Sequence, residues 1–188
     1  MYIISPRSFR SEEPIMPFNP EIHHRRSIRL KEYNYTEPGF YFITICTQQR
    51  LCLFGKIIHG QMLLNKAGFL IEQIWQDLPH KFPFIFQDNY VIMPNHIHGL
   101  IQIIDKTEHS ISHIVQYFKS FSSFQYILGV KQNNWEHFPG KLWQRNYYEH
   151  IARNENNLEK IRQYILNNPI QWEMDQDNPI NCNNKIIL

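Results

Sequence analysis

Two β-rich runs constrain the fold of this chain more than any other feature. They are IFQDNYVIM (85–93) and HIHGLIQII (96–104), and only Pro94–Asn95 separates them. A turn signal between two such runs is typical of a tight antiparallel connection, so the sequence predicts a β-hairpin. Residues two apart on a strand point to the same face, so His96 and His98 project together. The pattern predicts two neighbouring imidazoles on a sheet.

The remaining elements are predicted from periodicity. GFYFITICTQQ (39–49) follows a Pro-Gly turn and is a predicted core strand, and residues 51–64 suggest a short hairpin interrupted by glycine. Apolar residues at helical spacing predict three helices, over 65–78, 110–128 and 154–168, with Asn65, Ser110 or Ser112, and Asn154 as the respective caps. The Asn-rich stretch from Met174 onward predicts a loose segment.

Composition sets outer limits on the class of protein. With 188 residues, 43% of them hydrophobic, the chain is expected to form one globular domain. It shows no membrane-span-length apolar run and no secretory signal pattern, so we expect a cytoplasmic protein. Three cysteines without CxxC spacing argue against a disulfide framework and a zinc knuckle. A net charge of +2 does not by itself indicate a nucleic-acid partner.

Two pairs of residues point to chemistry. His96 and His98 on a rigid strand make half of a metal site. Tyr164 and Asn168 are four residues apart on the third predicted helix and share a face, which would bring a phenol and an amide oxygen to one place. The structural alternatives are a hydrogen-bonded sheet histidine, a packing tyrosine and an ordinary helix-terminating asparagine before proline. Spacing alone leaves both interpretations open.

Separated motifs in order resemble a known family. VIMPNHIHGLI (91–101) and the block from WQRNYYEH to NNPIQW (143–172) closely resemble the transposases associated with repetitive extragenic palindromes (REP), a branch of the single-tyrosine HUH transposases. The resemblance extends to HHRRSIRL (23–30) and to residues 33–57, and thus runs from about Met16 to Pro179.

The resemblance implies an α+β fold, a ferredoxin-like, RRM-like antiparallel sheet with helices packed on it. It also implies that His96 and His98 bind a divalent metal, that Tyr164 is the catalytic nucleophile, and that Asn168, where relatives have Gln or Asn, completes the protein ligands. Two imidazoles and an amide oxygen suit Mn²⁺ well and Mg²⁺ acceptably as the cofactor.

The implied activity is cleavage and rejoining of single-stranded DNA next to palindromic hairpins, without ATP, through a 5′-phosphotyrosine intermediate. The implied partners are single-stranded DNA hairpins, with no membrane and no nucleotide cofactor, and a monomer is favoured over a dimer. An alternative function is a catalytically silent DNA- or RNA-binding module on the same sheet. A plasmid relaxase or rolling-circle initiator is a further alternative, which the short chain and the absent GxxxxGK[ST] motif disfavour.

Several residues compete for supporting roles. Tyr147 and Tyr148 are rival nucleophiles, and Trp143 is either a base-stacking or a structural residue. The candidate DNA-binding residues are Arg25, Arg26, Arg29, Lys31, Lys119 and Arg145. We expect one domain over 16–179 and a loose tail over 180–188. For residues 1–15 two alternatives stay open: Met16 is the natural start, or these residues are a dispensable extension.

Overall fold

The computed structural model describes residues 35–183, and its centre is a four-stranded antiparallel sheet. The strand order is β4–β5–β1–β6, built from β1 (Gly39–Cys46), β4 (Ile85–Ile92), β5 (His96–Ile103) and β6 (Tyr148–Ala152). A separate hairpin pairs β2 (Gly55–Ile58) with β3 (Gln61–Leu64). The mixed α+β fold confirms the predicted fold class. The predicted extension over residues 1–15 and the basic run from Arg25 to Lys31 lie outside the described residues.

Helices cover both faces of the sheet. They are α1 (Lys66–Gln76), the short α2 (Leu78–Lys81), α3 (Ile111–Asn133), α4 (Glu155–Asn167) and the short α5 (Pro179–Asn183). α1 and α3 pack on the main core, which includes Tyr41, Ile43, Ile45, Ile97 and Ile101. α4 lies on the opposite face, where Leu158, Ile161 and Ile165 contact Phe42 and Leu100. Among residues 35–183, no helix combines the length and apolarity that a membrane span requires.

Most predicted elements are confirmed, including the hairpin of β4 and β5. Asn65 caps α1 by accepting a hydrogen bond from Gly68 N at 2.8 Å, and Asn154 caps α4 by accepting one from Asn157 N at 2.9 Å. Ser110 occupies the N-cap position of α3, but its side chain makes no capping hydrogen bond. α3 continues to Asn133, beyond the predicted end at residue 128, and ends where Asn134 adopts a left-handed conformation with φ of 54°.

The sequence analysis missed the strand β6 and the order of the segment that begins at Met174. β6 is an edge strand with the sequence YEHIA, in which only Ile151 is buried, so it lacks the apolar alternation that marks a strand. The expectation of a loose segment from Met174 is wrong for its first residues, since Asp177 and Asn178 are buried. The side chains of Asn178 and Asn181 donate to nearby backbone carbonyls, and the backbone carbonyl of Asp177 accepts from the Asn95 side chain, which lets a polar stretch keep one conformation. The boundary at residue 179 and the loose tail over 180–188 stay predictions.

Gly99 follows the histidine pair at a position where the ring of Trp75 fills the space that a side chain would need. A Cβ atom on Gly99 would overlap Cζ2 of Trp75, and only a shift of the ring could relieve that overlap. Trp75 is buried in the main core between α1 and the sheet. The close approach of helix α1 to β5 therefore requires glycine at this position.

An ion pair fastens α4 to the sheet edge. Arg162 donates from Nη2 to Asp88 Oδ2 at 2.8 Å and from Nε to both carboxylate oxygens at 3.2 Å. Burial would raise the pKa of Asp88, but the hydrogen bonds from Arg162 outweigh it and lower that pKa. Arg162 also contacts the exposed carboxylate of Glu155 at 3.2 Å. Oε2 of Glu159, a second exposed partner, lies 3.7 Å from Nη1 of the same arginine.

We expect Asp88→Asn to lower the free energy of unfolding by about 2 kcal/mol, because it removes a charged acceptor from a largely buried pair. The matched change Glu155→Gln should cost less than about 0.5 kcal/mol, because solvent screens the exposed partner. Urea unfolding at pH 7 measures both values. Equal losses in the two variants would show that burial of the pair does not set its strength.

Candidate metal and nucleophile site

The register between β1 and β5 assembles the floor of the site. Thr44 pairs with His98, and Cys46 pairs with His96. Directly paired residues on neighbouring strands extend to the same face of a sheet, so all four side chains lie on one face. This is the face on which α4 packs, opposite the main core. The shared face predicted for the two histidines is therefore present, beneath the helix that carries Tyr164.

The two imidazoles converge through their Nε2 atoms, which are 3.0 Å apart. Nδ1 of His96 bonds Oδ1 of Asn95 at 2.8 Å, and Nδ1 of His98 bonds Oγ1 of Thr44 at 2.7 Å. Second partners of this kind fix the orientation of metal-binding histidines. Each ring is thus oriented by the hydrogen bond at its Nδ1 atom, and both Nε2 atoms point to a common place.

The hydroxyl of Thr44 can serve two protonation patterns of this pair. The Asn95 carbonyl oxygen accepts the Nδ1 proton of His96, which leaves a lone pair on its Nε2. Without a cation, His98 must then donate its Nε2 proton to His96 and accept the Thr44 hydroxyl proton at Nδ1. With a cation bound, His98 would instead donate from Nδ1 to the Thr44 oxygen. The two atoms are 2.7 Å apart, and because a hydroxyl both donates and accepts, Thr44 can bond His98 in either state.

Burial keeps both histidines neutral. It lowers the pKa of His96 to about 3, although the nearby Asn168 amide opposes part of that shift. Burial also lowers the pKa of His98 well below its ordinary value, and the neighbouring His96 adds to the effect. Neutral imidazoles keep the lone pairs that a metal ion needs, so the site does not have to lose protons near pH 7.

Tyr164 extends from α4 to the histidine pair. Its hydroxyl lies 3.4 Å from Nε2 of His98, and its ring packs edge-on against Phe42 with centroids 5.8 Å apart. Burial raises the pKa of the phenol, and the negative charge of Asp175 raises it further. The residue remains 42% exposed, so a substrate can reach its side chain from solvent.

Asn168 follows α4 and is only 1% exposed. Its Oδ1 atom is buried and accepts no hydrogen bond among the described residues. A buried amide oxygen without a donor is unfavourable unless a ligand uses it, because desolvation is not offset. Asn168 thus presents a free oxygen next to His96, as its predicted role requires.

Asp175 joins the site and was missed by the sequence analysis. Its carboxylate and the two imidazoles each offer a ligand atom, and these atoms all lie within 4.8 Å of one another. Burial raises the pKa of Asp175, while the hydrogen bond from the Asn168 amide and the charge of Arg50 partly offset that rise. The only signal was a pair of aspartates, Asp175 and Asp177, in a stretch interpreted as loose.

The donor set fits a divalent metal. Adjacent ligands of an octahedral ion with bonds of about 2.1 Å lie about 3.0 Å apart, the separation of the two Nε2 atoms. Two neutral imidazoles, an amide oxygen and a carboxylate form the mixed nitrogen and oxygen set that Mn²⁺ accepts well. The structure therefore brings the residues predicted for metal binding, His96, His98 and Asn168, to one place with the predicted nucleophile.

The rival tyrosines are placed differently. The Tyr147 hydroxyl bonds Ser112 Oγ at 3.1 Å on α3, and the ring packs against the main core on the opposite side of the sheet. Tyr148 pairs with Thr44 and lies edge-on to Phe42, so it is on the site face but exposed. Trp143 is buried and donates to Ser122 Oγ at 2.8 Å. Of its two predicted roles, the structural one fits this position better than base stacking.

The described DNA-binding candidates border an open groove of about 440 Å³ lined by Lys119, Lys141 and Arg145. Lys119 donates to the carbonyls of Gln144 at 2.6 Å and Arg145 at 2.9 Å, and burial lowers its pKa to about 8. One of its three N–H donors stays available for a phosphate. Arg145 is exposed. The remaining candidates, Arg25, Arg26, Arg29 and Lys31, lie outside the described residues.

An antiparallel sheet with two convergent histidines, crossed by a helix that presents a tyrosine to them, defines the single-tyrosine HUH class of proteins. The chain belongs to the family of IS200-like transposases, which it matches over residues 41–168. The match covers the sheet, the histidine pair and α4 through Asn168. It confirms the family that the separated motifs indicated.

Individual relatives agree with this assignment. A Haemophilus influenzae protein of uncharacterised function is 45% identical in a match that covers 85% of this chain and 96% of the relative. A second protein of that species, provisionally named a REP-associated tyrosine transposase, is 26% identical over 73% of this chain and 74% of its own length. The solved structure of a REP-associated tyrosine transposase bound to a REP hairpin has the same fold, with a TM-score of 0.54 and 19% identity over 76% of this chain and 74% of that one.

We expect the metal-free protein to lose stability as the pH falls below about 6.5, the ordinary histidine pKa. The unfolded chain takes up protons there, whereas folded His96 stays neutral down to about pH 3. Each buried imidazole lowers the free energy of unfolding by up to about 1.4 kcal/mol per pH unit. Urea unfolding in chelator at pH 7, 6 and 5 measures the slope.

The control for this pH dependence uses one buried and one exposed histidine. His98→Gln should flatten the slope, while the same change at the exposed His80 should leave it as in the wild type. Identical slopes in both variants would contradict the assignment of the proton uptake to the buried pair.

Proposed function

We propose that this chain is a metal-dependent single-stranded DNA endonuclease and transposase that cuts and rejoins DNA beside palindromic hairpins. The nucleophile is Tyr164 and the cofactor is Mg²⁺ or Mn²⁺. The observation that carries the proposal is the approach of the Tyr164 hydroxyl to within 3.4 Å of Nε2 of His98 in the convergent histidine pair. Membership of the IS200-like transposase family supports DNA as the substrate.

His96, His98 and Asn168 would hold the metal, while Asn95 and Thr44 keep the two rings in their ligating orientation. When bound, a divalent cation supplies charge that polarises the scissile phosphate and favours the phenolate form of the nearby tyrosine. The phenol needs such help, because burial and Asp175 raise its pKa. Phe42 packs against Tyr164 and limits the positions of its ring.

The proposed cleavage exchanges one phosphodiester for another. The Tyr164 oxygen attacks the phosphorus, a tyrosine O–P bond forms, and the bond from phosphorus to the 3′ oxygen of the preceding nucleotide breaks. Overall, the phenolic proton is lost from tyrosine and one proton is gained by the leaving 3′ oxygen. The products are a 5′-phosphotyrosine and a free 3′-hydroxyl, and the retained phosphodiester energy lets another 3′-hydroxyl reverse the step without ATP.

The basic groove offers a path for the DNA strand to this site. Gln144 donates from its backbone N to the carbonyl of Cys46 at 2.9 Å, and Cys46 pairs with His96. The wall of the groove therefore starts at the end of β1, beside the histidine pair. Lys119, Lys141 and Arg145 add positive charge along it, which suits a phosphate backbone.

The nucleophile and both histidines belong to the same chain in this arrangement. A single copy therefore holds all the groups that the proposed cleavage needs, which supports a monomer acting in cis. An exchange of the tyrosine helix between two copies is not required by the geometry.

We expect the wild type to form a covalent adduct with labelled single-stranded hairpins from repeats that flank its gene, in the presence of Mn²⁺ or Mg²⁺. Denaturing gels detect the adduct. Tyr164→Phe should lose it, because the attacking oxygen is gone while the ring remains. Chelator should also abolish it, because the metal charge is removed.

Tyr148→Phe is the matched control, since Tyr148 lies on the same face and also contacts Phe42. It should retain the adduct. An adduct that survives Tyr164→Phe and disappears in Tyr148→Phe would assign the nucleophile to Tyr148. No adduct on a hairpin that the protein binds tightly would favour the catalytically silent binding module.

A further inference from the structure

We propose that Asp175 is an additional protein ligand of the metal, and that a latch formed by Arg50 and Asn95 holds its segment against the histidines. The segment comprises residues 172–178, which follow α4. The inference rests on the proposed function, in which His96 and His98 hold a divalent cation. It adds a carboxylate from a part of the chain beyond the stretch that matches the transposase family.

Two independent observations place a ligand among these residues. The ligand atoms of His96, His98 and Asp175 lie within 4.8 Å of one another, and both histidines are almost fully buried. Among the described residues, the buried Oδ1 of Asn168 accepts no hydrogen bond, while the Asn168 amide is close enough to the Asp175 carboxylate to lower its pKa. A cation at this place would satisfy the amide oxygen and balance the half-buried carboxylate.

The carboxylate of Asp175 is held in a defined orientation. The backbone N of Asp177 donates to its Oδ1 at 2.7 Å, which closes a short local turn. The ring of Trp172 lies beside His96, with centroids 6.0 Å apart, at the start of the same segment. Asn178 donates to the carbonyl of Trp172 at 2.9 Å and so ties the two ends of the segment together.

Arg50 forms the first half of the latch. Its guanidinium pairs with the Asp177 carboxylate and donates to the carbonyl of Gln176 at 2.9 Å. The backbone of Arg50 has φ of 56°, a left-handed value that is unfavourable for a residue with a side chain. Such conformations persist where surrounding contacts hold them. In this structure, the left-handed backbone of Arg50 directs its guanidinium toward the segment that carries Asp175.

Asn95 forms the second half and joins the latch to the metal site. Its Nδ2 donates to the carbonyl of Arg50 at 2.9 Å and to the carbonyl of Asp177 at 2.7 Å. Its Oδ1 accepts from His96, as described above, and the residue is fully buried. A single amide therefore orients one metal ligand and positions the backbone that carries another.

The added carboxylate has a chemical consequence for the metal. Two imidazoles, one amide oxygen and one carboxylate would give the metal four protein ligands, fewer than the six that Mg²⁺ prefers, so a DNA phosphate and water could still bind it. The negative oxygen also shifts the set toward Mn²⁺ and Mg²⁺ and away from softer ions. The affinity for metal should then depend on the C-terminal segment and on its latch.

The first test is a calorimetric titration of the full-length, metal-free protein with MnCl₂ in the absence of DNA. Asp175→Asn, which keeps the shape of the side chain, should weaken Mn²⁺ binding at least about tenfold. Asp177→Asn should weaken Mn²⁺ binding by a smaller factor, because this change removes the charged partner of Arg50 but keeps the proposed ligand Asp175. Glu173→Gln is the matched control, an exposed carboxylate in the same segment, and should bind within about twofold of the wild type.

The second test distinguishes a ligand from a nearby charge. Asp175→Cys replaces a hard oxygen by a soft thiolate, so the ratio of Cd²⁺ to Mn²⁺ affinity should rise at least about tenfold over the wild type. Glu173→Cys controls for an added thiol and should leave the ratio unchanged. Because the ratio is measured within one protein, partial loss of folded material in a variant does not change it.

The outcomes separate this inference from the proposed function. If His96→Gln and His98→Gln abolish Mn²⁺ binding while Asp175→Asn and Asp175→Cys behave as the wild type, Asp175 is not a ligand and the proposed function stands. If the wild type binds no Mn²⁺, or the histidine variants bind it normally, both proposals fail. Weakened Mn²⁺ binding in Asp175→Asn, together with a raised Cd²⁺ ratio in Asp175→Cys, supports the ligand role.

Discussion

The pairing of β1 with β5 is the interaction on which the rest of the site depends. It sets Thr44 opposite His98 and Cys46 opposite His96, and it turns the intervening Ile45 and Ile97 into the main core. A slip of one residue would exchange the two faces and bury the apolar side chains under α4. The packing that folds the protein thus also selects the face on which the histidines lie.

The site is built from polar groups that the fold buries and then satisfies. Thr44, Asn95, His96, His98 and Asn168 are all buried, and burial of such groups opposes folding unless each finds a partner. Nearly all of them do. Nδ1 of each histidine has a hydrogen-bond partner, and the Asn95 side chain makes three hydrogen bonds. The exception among these five described residues is the Asn168 oxygen. This unsatisfied atom lies where the proposed function needs a ligand.

Sequence reasoning succeeded where a local pattern carries the information. The hairpin of β4 and β5 and the caps at Asn65 and Asn154 follow from period, turn and capping rules that involve neighbouring residues. It failed for β6, an edge strand without apolar alternation, and for the segment around Asp177, whose order comes from bonds to Arg50 and Asn95. These partners are distant in sequence, so composition alone suggested a loose stretch.

By itself, the sequence determined that His96 and His98 share one strand face and that Tyr164 and Asn168 share one helix face, because strand and helix periods are local properties. Only the tertiary structure decided that these faces meet, since α4 is docked by apolar packing and by Arg162 on the distant Asp88. It also decided that Tyr147 turns away and that Asp175 joins the histidines. Contacts between residues far apart in the chain settle such choices, and no local periodicity encodes them.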